Sequence, residues 1–178
     1  MKKTVLLPIL TLLAAAILLY AVSMGLSGVW AANRQKEHLR IMETILPGST
    51  SFTKEAYAGD DANIRSVHKG ETGFVVETTV DGYAGGITML VGVSNEGTVT
   101  GLVVRDLEET HTLGREILTD ADFLAQYLNT SGEAEVGVNV DAVTGATVTS
   151  RAVTRSINSA VAYVTGADTS SGATEWGG

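Results

Sequence analysis

The chain has 178 residues, of which 20 are acidic and 12 are basic, and its formal net charge is −8. Nucleic-acid-binding proteins need a basic face, so this acidic balance argues against nucleic acid as a partner. The absence of cysteine excludes disulfides, Cys-ligated zinc and cysteinyl iron–sulfur clusters, and the three scattered histidines predict no metal site: His38, His68 and His111.

The N-terminal segment has the composition of a membrane anchor. Lys2 and Lys3 precede an uncharged run over residues 4–32 that is rich in Leu, Ile, Ala and Val. About 20 apolar residues span a bilayer as a helix, so we predict a transmembrane anchor over residues 1–32. Cleavage near residues 29–32 is the alternative. The two lysines hold the N-terminus in the cytoplasm by the positive-inside rule, which places the remaining chain on the outer, extracytoplasmic face of the cell membrane.

Residues 33–71 are predicted to form a juxtamembrane helix followed by an irregular linker. Apolar residues recur on one helical face at Leu39, Met42, Ile45 and Leu46. Pro47 and Gly48 end this helix. The polar chain from 48 to 71 is rich in Gly and Asp, and it predicts irregular structure with a short strand near residues 64–67.

Residues 72–165 have the pattern of one small α+β domain. Runs of strand-forming residues separated by glycine-rich turns predict an antiparallel sheet with strands over residues 73–80, 87–93 and 99–104. We predict flanking helices at Ala121–Leu128, with Asp120 as N-cap, and after Thr147, and a further short strand at Val136–Val140. Residues 166–178 are predicted to be a flexible tail.

Residues 141–147 carry the most informative motif, Asp-Ala-Val-Thr-Gly-Ala-Thr. It places the Thr147 hydroxyl at the start of an amphipathic helix, where backbone N–H groups and the helix dipole favour a negative charge. The motif resembles the covalent flavinylation motif of the FMN-binding domain family, in which the last threonine is esterified to the FMN phosphate. Two further segments resemble that family in the same order: the glycine turn at residues 82–86, and the Glu-Thr-x-x-Leu-Gly loop at residues 109–114.

The resemblance implies covalent FMN on Thr147 and assigns roles to other residues. It implies that Gly145 and Ala146 leave clearance, that Thr149 donates a hydrogen bond to phosphate, and that Thr144 is a further cofactor-binding residue. Asp141 would shape the turn or serve the attaching flavin transferase. The remaining candidate cofactor contacts are Glu109, Thr110, Leu113, Gly114, Tyr83 and Gly85. The alternatives without a cofactor are that Thr147 or Thr149 serves as N-cap, that the glycines only allow the turns, and that Tyr83 packs against other side chains.

Together with the N-terminal anchor, these motifs make the chain similar to the G subunit of Rnf ion-translocating electron-transport complexes, which is related to the C subunit of the Na⁺-translocating NADH:quinone reductase. The resemblance implies an electron-relay subunit of a ferredoxin:NAD⁺ oxidoreductase complex, with other membrane subunits as partners and no catalytic residues of its own. The alternatives are a stand-alone extracellular FMN reductase or electron carrier, and an anchored binding module without flavin.

A second copy of the motif lies in the C-terminal tail. Residues 168–174 repeat the spacing from an aspartate to a final threonine, Thr174. Only four residues follow, so no helix is available to receive a phosphate there. We therefore predict attachment at Thr147, and modification of Thr174 as a second site is the alternative.

Overall fold

The computed structural model describes residues 2–83, 85–107, 116–131 and 133–167. The chain divides into two compact units, Met1–Arg40 and Ile41–Gly178. Helix α1, Lys2–Ile45, supplies the first unit and the beginning of the second. Within the described residues, no helix is both long enough and apolar enough to cross a membrane. The transmembrane helix over residues 1–32 therefore stays a prediction.

The second unit is built on a five-stranded antiparallel sheet in which the strand order follows the chain order. The strands are β1 Thr53–Glu55, β2 Ile64–Lys69, β3 Gly73–Asp81, β4 Gly86–Ser94 and β5 Val99–Leu107. The three strands predicted from residues 73 to 104 are confirmed, and each begins within a residue of its predicted start. Runs of β-branched and apolar residues bounded by glycine-rich turns located these strands, although β4 is buried at every position from Met89 to Val93 and does not alternate.

The sequence prediction differs from the structure in two strand regions. Residues 48–71, predicted to be irregular apart from 64–67, contribute both β1 and a longer β2 to the sheet. Strand β1 has only three residues and forms the sheet edge, so it carries too little buried surface to produce a pattern. The strand predicted at Val136–Val140 is wrong: residues 137–139 form a turn, closed by a bond from Gly137 N–H to Val140 O at 2.7 Å.

Both predicted flanking helices are present among the described residues that follow the sheet. Helix α2, Ala121–Ala125, begins at Asp120, whose carboxylate accepts hydrogen bonds from the N–H groups of Asp122 and Phe123. The N-cap prediction is therefore confirmed, although α2 ends three residues before Leu128 because residues 126–129 form turns. Helix α3, Thr147–Thr165, ends at Gly166, whose φ of +71° is a left-handed cap.

The core lies on both faces of the sheet. Helix α3 packs on β3 and β4 through the apolar stripe predicted from sequence, and Val153, Ile157 and Ala160 are at most 1% exposed. The opposite face receives the end of α1, where Met42, Ile45 and Leu46 are buried as predicted. The sheet is therefore the rigid layer that fixes α3 and the turn before it.

Candidate functional site

The turn that precedes α3 is tight and depends on a glycine. The N–H of Ala146 donates to the carbonyl of Val143 at 3.0 Å, which closes a four-residue turn. Gly145 occupies the third position of this turn with a φ of +84°, a conformation that other L-residues rarely adopt. The motif glycine is therefore explained by backbone geometry, and the turn brings Thr144 and Thr147 to the protein surface, where both are exposed.

The N-terminus of α3 has no side-chain cap. The residue at the cap position is Ala146, and the first bond of the helical ladder runs from Ser150 N–H to Ala146 O at 2.9 Å. The N–H groups of residues 147–149 therefore lack partners within the helix. The first turn contains no acidic residue to offset the positive end of the dipole. The predicted alternative that Thr147 or Thr149 serves as N-cap is wrong, and the helix presents N–H groups suited to an anion.

Thr149 is the unusual side chain of this helix turn. It is 1% exposed, and its Oγ1 atom has no hydrogen-bond partner among the residues that the structure describes. Other buried hydroxyls of α3 are paired: Ser150 and Thr154 bond backbone carbonyls, while Ser156 and Ser159 bond Thr78 and Asn63. A buried hydroxyl without a partner costs free energy, so Thr149 fits a site that is completed by a bound group.

The motif is held in place by the turn that follows α2. The Gln126 side chain accepts a bond from Asp141 N–H at 2.8 Å and donates to Asp141 O at 3.5 Å. Ser150 Oγ accepts from Val143 N–H at 3.4 Å and donates to Ala146 O at 3.0 Å. These bonds fix both ends of the turn and leave the Asp141 side chain exposed.

The buried side chain of Tyr127 joins the turn that follows α2 to α3. The hydroxyls of Tyr127 and Thr154 lie 2.8 Å apart, and Thr154 in turn donates to Ser150 O at 2.9 Å. The Tyr127 ring also makes an edge contact with Phe123, with ring centroids 5.7 Å apart. Burial raises the pKa of Tyr127 to about 12, and the hydrogen bond with Thr154 acts in the opposite direction.

This pKa gives an expected stability profile. The pKa of this phenol is 10.0 in the unfolded chain and about 12 in the fold. Below pH 10 the phenol is neutral in both states, and the folded state keeps the whole of the stabilisation that depends on the neutral phenol. That stabilisation is lost as pH rises from 10 to 12, which amounts to about 3 kcal/mol. We expect Tyr127→Phe to cost about 1 kcal/mol at pH 7 and to remove this alkaline loss. Denaturant unfolding of the full chain in detergent, measured between pH 7 and 12, checks both effects.

The exposed phenol of Tyr83 provides the matched control for this experiment. Tyr83→Phe should leave the unfolding profile close to that of the wild-type chain, because the Tyr83 side chain is 71% exposed. Parallel unfolding profiles for wild type and Tyr127→Phe above pH 10 would contradict the assignment to Tyr127.

The β3–β4 turn lies at the same end of α3 as the motif. Phe74 contacts Tyr163 with ring centroids 5.7 Å apart, and Thr78 bonds Ser156, so α3 runs antiparallel to β3. Continuing this register places the turn after Asp81 beside the start of α3. The turn is closed by a bond from Gly82 N–H to Gly85 O at 2.9 Å. Tyr83 is exposed rather than packed in the core, so the packing alternative is wrong and its contact with a cofactor stays a prediction.

Four predicted contacts and the second motif lie outside the described residues. These are Glu109, Thr110, Leu113 and Gly114 of the loop, and Thr174 of the tail. The structure thus brings together the contiguous motif from Asp141 to Thr149 and, at the same helix end, Gly85 and Tyr83.

Sequence reasoning missed the residues that position the motif. Gln126, Tyr127, Ser150 and Thr154 hold the turn, yet none was predicted from the sequence. A signal was present, because α3 carries Ser and Thr on a face that is otherwise apolar. Buried hydroxyls of this kind usually bond a carbonyl one turn earlier or a neighbouring segment.

Comparison with known proteins agrees with this geometry. The model of the FMN-binding domain family matches residues 82–162, which span the β3–β4 turn, the motif and most of α3. The G subunit of the ion-translocating oxidoreductase complex of Methanosarcina acetivorans is 32% identical over 92% of this chain and 93% of the relative. The protein of the same name from Pseudoalteromonas atlantica is 32% identical over 73% of this chain and 72% of the relative. The G subunit of the Na(+)-translocating ferredoxin:NAD(+) oxidoreductase complex of Acetobacterium woodii is 32% identical over 50% of this chain and 47% of the relative.

The fold and the site thus define an FMN-binding domain. The chain belongs to the family formed by the G subunits of ion-translocating oxidoreductase complexes. The resemblance inferred from three sequence motifs is confirmed.

Proposed function

We propose that this chain is a membrane-anchored electron-relay subunit that carries FMN as a phosphoester on Thr147. The observation that supports the proposal most directly is the uncapped start of α3 with the exposed Thr147 at its first position. A phosphodiester keeps about one negative charge, and a helix N-terminus favours such a charge by roughly 0.3–1 kcal/mol at an exposed site. When the ester forms, the Thr147 oxygen bonds the FMN phosphorus, the bond from phosphorus to the donor's leaving group breaks, and the hydroxyl proton is released with that group, so the product differs from the chain plus free FMN by one water.

The residues around Thr147 fit such a group. The free N–H groups of residues 147–149 offer donors to phosphate oxygens, and Gly145 adds no side chain to the adjacent turn. Thr149 offers a buried hydroxyl that lacks a partner among the described residues. Tyr83 and Gly85, from the turn at the same helix end, and the loop residues from Glu109 to Gly114 are proposed to contact the ring or the ribityl chain.

The bound flavin would supply one- and two-electron transfer, and the protein would orient and tune it. The backbone of Asp141 is hydrogen-bonded to the Gln126 side chain, and its carboxylate is exposed. We propose that the flavin transferase binds this carboxylate during maturation.

The proposed location and partners come from the sequence and the family. The uncharged run over residues 4–32 is long enough for a single membrane span, and Lys2 and Lys3 orient it with the N-terminus in the cytoplasm. The flavin domain would then lie on the extracytoplasmic face. The relatives are named as subunits of ion-translocating complexes, so the proposed partners are other membrane subunits of an Rnf-type ferredoxin:NAD⁺ oxidoreductase.

Mass spectrometry of the chain co-expressed with a flavin transferase tests the proposal. We expect a mass gain of one FMN less one water, located by peptide mapping on the peptide that contains Thr147. An adduct confined to Thr174 would refute the site. A colourless chain without adduct would refute the flavin function and favour an anchored binding module.

The unpaired hydroxyl of Thr149 gives a second expected result. Thr149→Val keeps the shape of the side chain and removes the buried hydroxyl. We expect the flavin-free chain to become more stable by about 1 kcal/mol, because the unsatisfied group is gone. Attachment of FMN should become slower, because a donor to the cofactor is lost. Denaturant unfolding of the flavin-free chain and a time course of adduct formation measure the two effects.

Thr154→Val is the matched control in the same helix. The Thr154 hydroxyl bonds both Tyr127 and Ser150, so its removal should destabilise the fold. If both valine variants destabilised the flavin-free chain equally, Thr149 would have a structural partner and no special role in the site.

A further inference from the structure

A cavity of about 460 Å³ lies at the opposite end of α3 from Thr147. Its lining comes from the loop before β2, with Tyr57, Asp60 and Asp61, and from the end of α3, with Ser159 and Tyr163. Tyr163 is 16 residues from Thr147 along the helix, a separation of about 24 Å at 1.5 Å per residue. The cavity is therefore separate from the proposed flavin site, and its volume is within the range of small-ligand pockets, about 300–1,000 Å³.

Hydrogen bonds and ring contacts build the walls of this cavity. The Tyr57 hydroxyl accepts a bond from Asp61 N–H at 2.9 Å, and Asn63 donates to Ser159 at 3.2 Å across to α3. The rings of Tyr57 and Tyr163 pack edge to face, with centroids 5.9 Å apart. The loop is thus tied to α3 by a hydrogen bond and a ring contact, and residues 58–60 of the cavity lining are exposed.

The ionisable side chains that line the cavity favour a cation. Among the described residues, its lining includes Asp60 and Asp61 and no basic residue. Asp61 uses Oδ1 to accept from Asn63 N–H at 2.9 Å, while its Oδ2 is buried and has no hydrogen-bond partner among the described residues. Helix α3 ends here with the negative end of its dipole, and its last turn contains no basic side chain.

The aromatic walls add to this preference. The faces of tyrosine rings attract cations. Burial raises the pKa of Tyr163, and its hydrogen bond to Glu55, at 3.2 Å, and the charge of Glu55 raise it further. Glu55 itself lies 3.9 Å from Lys69, so that carboxylate already has a counter-ion, whereas the buried Oδ2 of Asp61 does not among the described residues.

We propose that this cavity receives the side chain of a lysine from a partner protein. The cavity offers what a long cationic side chain needs: apolar walls for its methylene groups, ring faces, and carboxylate oxygens for its charged end. The tail of this chain does not match that chemistry, because residues 168–178 contain no lysine or arginine. Charge complementarity therefore points to a second polypeptide with a basic residue on its docking surface.

Titration of the ¹⁵N-labelled full chain in detergent tests recognition of the cation. The probe is Nα-acetyl-lysine N-methylamide, and the control is the neutral norleucine derivative, which has the same four side-chain carbons and no ammonium group. We expect saturable shifts of the amide signals of Tyr57, Ala162, Tyr163 and Ala167 with the lysine probe alone. The variant Asp61→Asn keeps the oxygen that accepts from Asn63, so it should fold and bind the probe about fivefold more weakly. Glu133→Gln, which removes the same charge from an exposed site, should bind the probe like wild type.

Carbodiimide cross-linking in native membranes tests the partner. This reaction joins a carboxylate directly to a neighbouring amine, so we expect an amide bond between Asp60 or Asp61 and a lysine of another polypeptide. The cross-link should disappear in the double variant Asp60→Asn, Asp61→Asn and persist in Glu133→Gln. Equal shifts with both probes, saturation by magnesium chloride alone, or cross-links only within this chain would overturn the proposal. None of these outcomes depends on flavin attachment at Thr147.

Discussion

Thr147→Ala is expected to abolish covalent attachment of FMN without unfolding the protein. The change removes the hydroxyl oxygen that forms the ester, and no other hydroxyl occupies the first position of α3. The fold should tolerate it, because Thr147 is exposed and alanine is the most favourable residue in a helix. Intact mass after co-expression with the flavin transferase should therefore show only the unmodified chain, while the unfolding midpoint stays at or above that of the flavin-free wild type.

Three related variants separate the proposed site from its neighbours. Thr147→Ser keeps a hydroxyl at the same position and should still gain an adduct. Thr144→Ala and Thr174→Ala remove hydroxyls from the preceding turn and from the tail, and both should be modified like wild type. A full adduct on Thr147→Ala, or its loss in Thr174→Ala, would assign the attachment elsewhere.

Gly92→Ala is expected to destabilise the fold by about 3 kcal/mol, because the added methyl group would overlap backbone atoms of a neighbouring segment. Val91 and Val93 face α3, so residue 92 faces the end of α1 on the other side of the sheet. A Cβ atom at Gly92 would lie 2.3 Å from Ile45 O and 2.9 Å from Thr100 Oγ1. Thr100 donates to that same carbonyl at 2.6 Å, so the added methyl group also disturbs this bond.

The cross-strand partner of Gly92 shows the same restriction. Gly101 pairs with Gly92 between β4 and β5, and a Cβ atom there would lie 2.7 Å from both Cα and O of Ile45. These are backbone atoms and cannot move aside as a flexible side chain can. The two glycines therefore let the chain at Ile45 approach the sheet closely.

Gly86→Ala is the matched control for this prediction. Gly86 lies in the same strand, and the nearest atom to an added Cβ is Thr79 Cγ2 at 3.8 Å, an ordinary contact. The free energy of unfolding of Gly86→Ala should stay within about 1 kcal/mol of that of wild type. Denaturant unfolding compares the variants, and hydrogen exchange of residues 41–46 distinguishes local detachment of this segment from global unfolding. Equal stability of Gly92→Ala and Gly86→Ala would contradict the close approach.

The central sheet and α3 were predictable because their signals are local. Strands β3, β4 and β5 are runs of strand-forming residues between glycine-rich turns, and α3 repeats apolar residues every three or four positions, so each segment shows its own pattern. The cap at Asp120 was also predictable, since a carboxylate before a helix bonds the first free N–H groups. Strand β1 and the turn at residues 137–139 were not predicted, because β1 depends on pairing with β2 and Val136 meets Val140 in one bridge only.

Within the site, the sequence by itself determined the local arrangement of residues 141–147. The order of residues 141–147 set a hydroxyl beside a glycine turn at a helix start, and that local arrangement was recognisable without any tertiary contact. The tertiary structure decided what holds this turn, through Gln126, Tyr127 and Ser150, because those contacts join residues that are far apart in the chain. It also decided the pairing of Gly92 with Gly101 under Ile45 and the cavity at Asp61. Whether a side chain is buried, and whether it finds a hydrogen-bond partner, depends on which distant segments come into contact. Local sequence patterns do not specify those contacts.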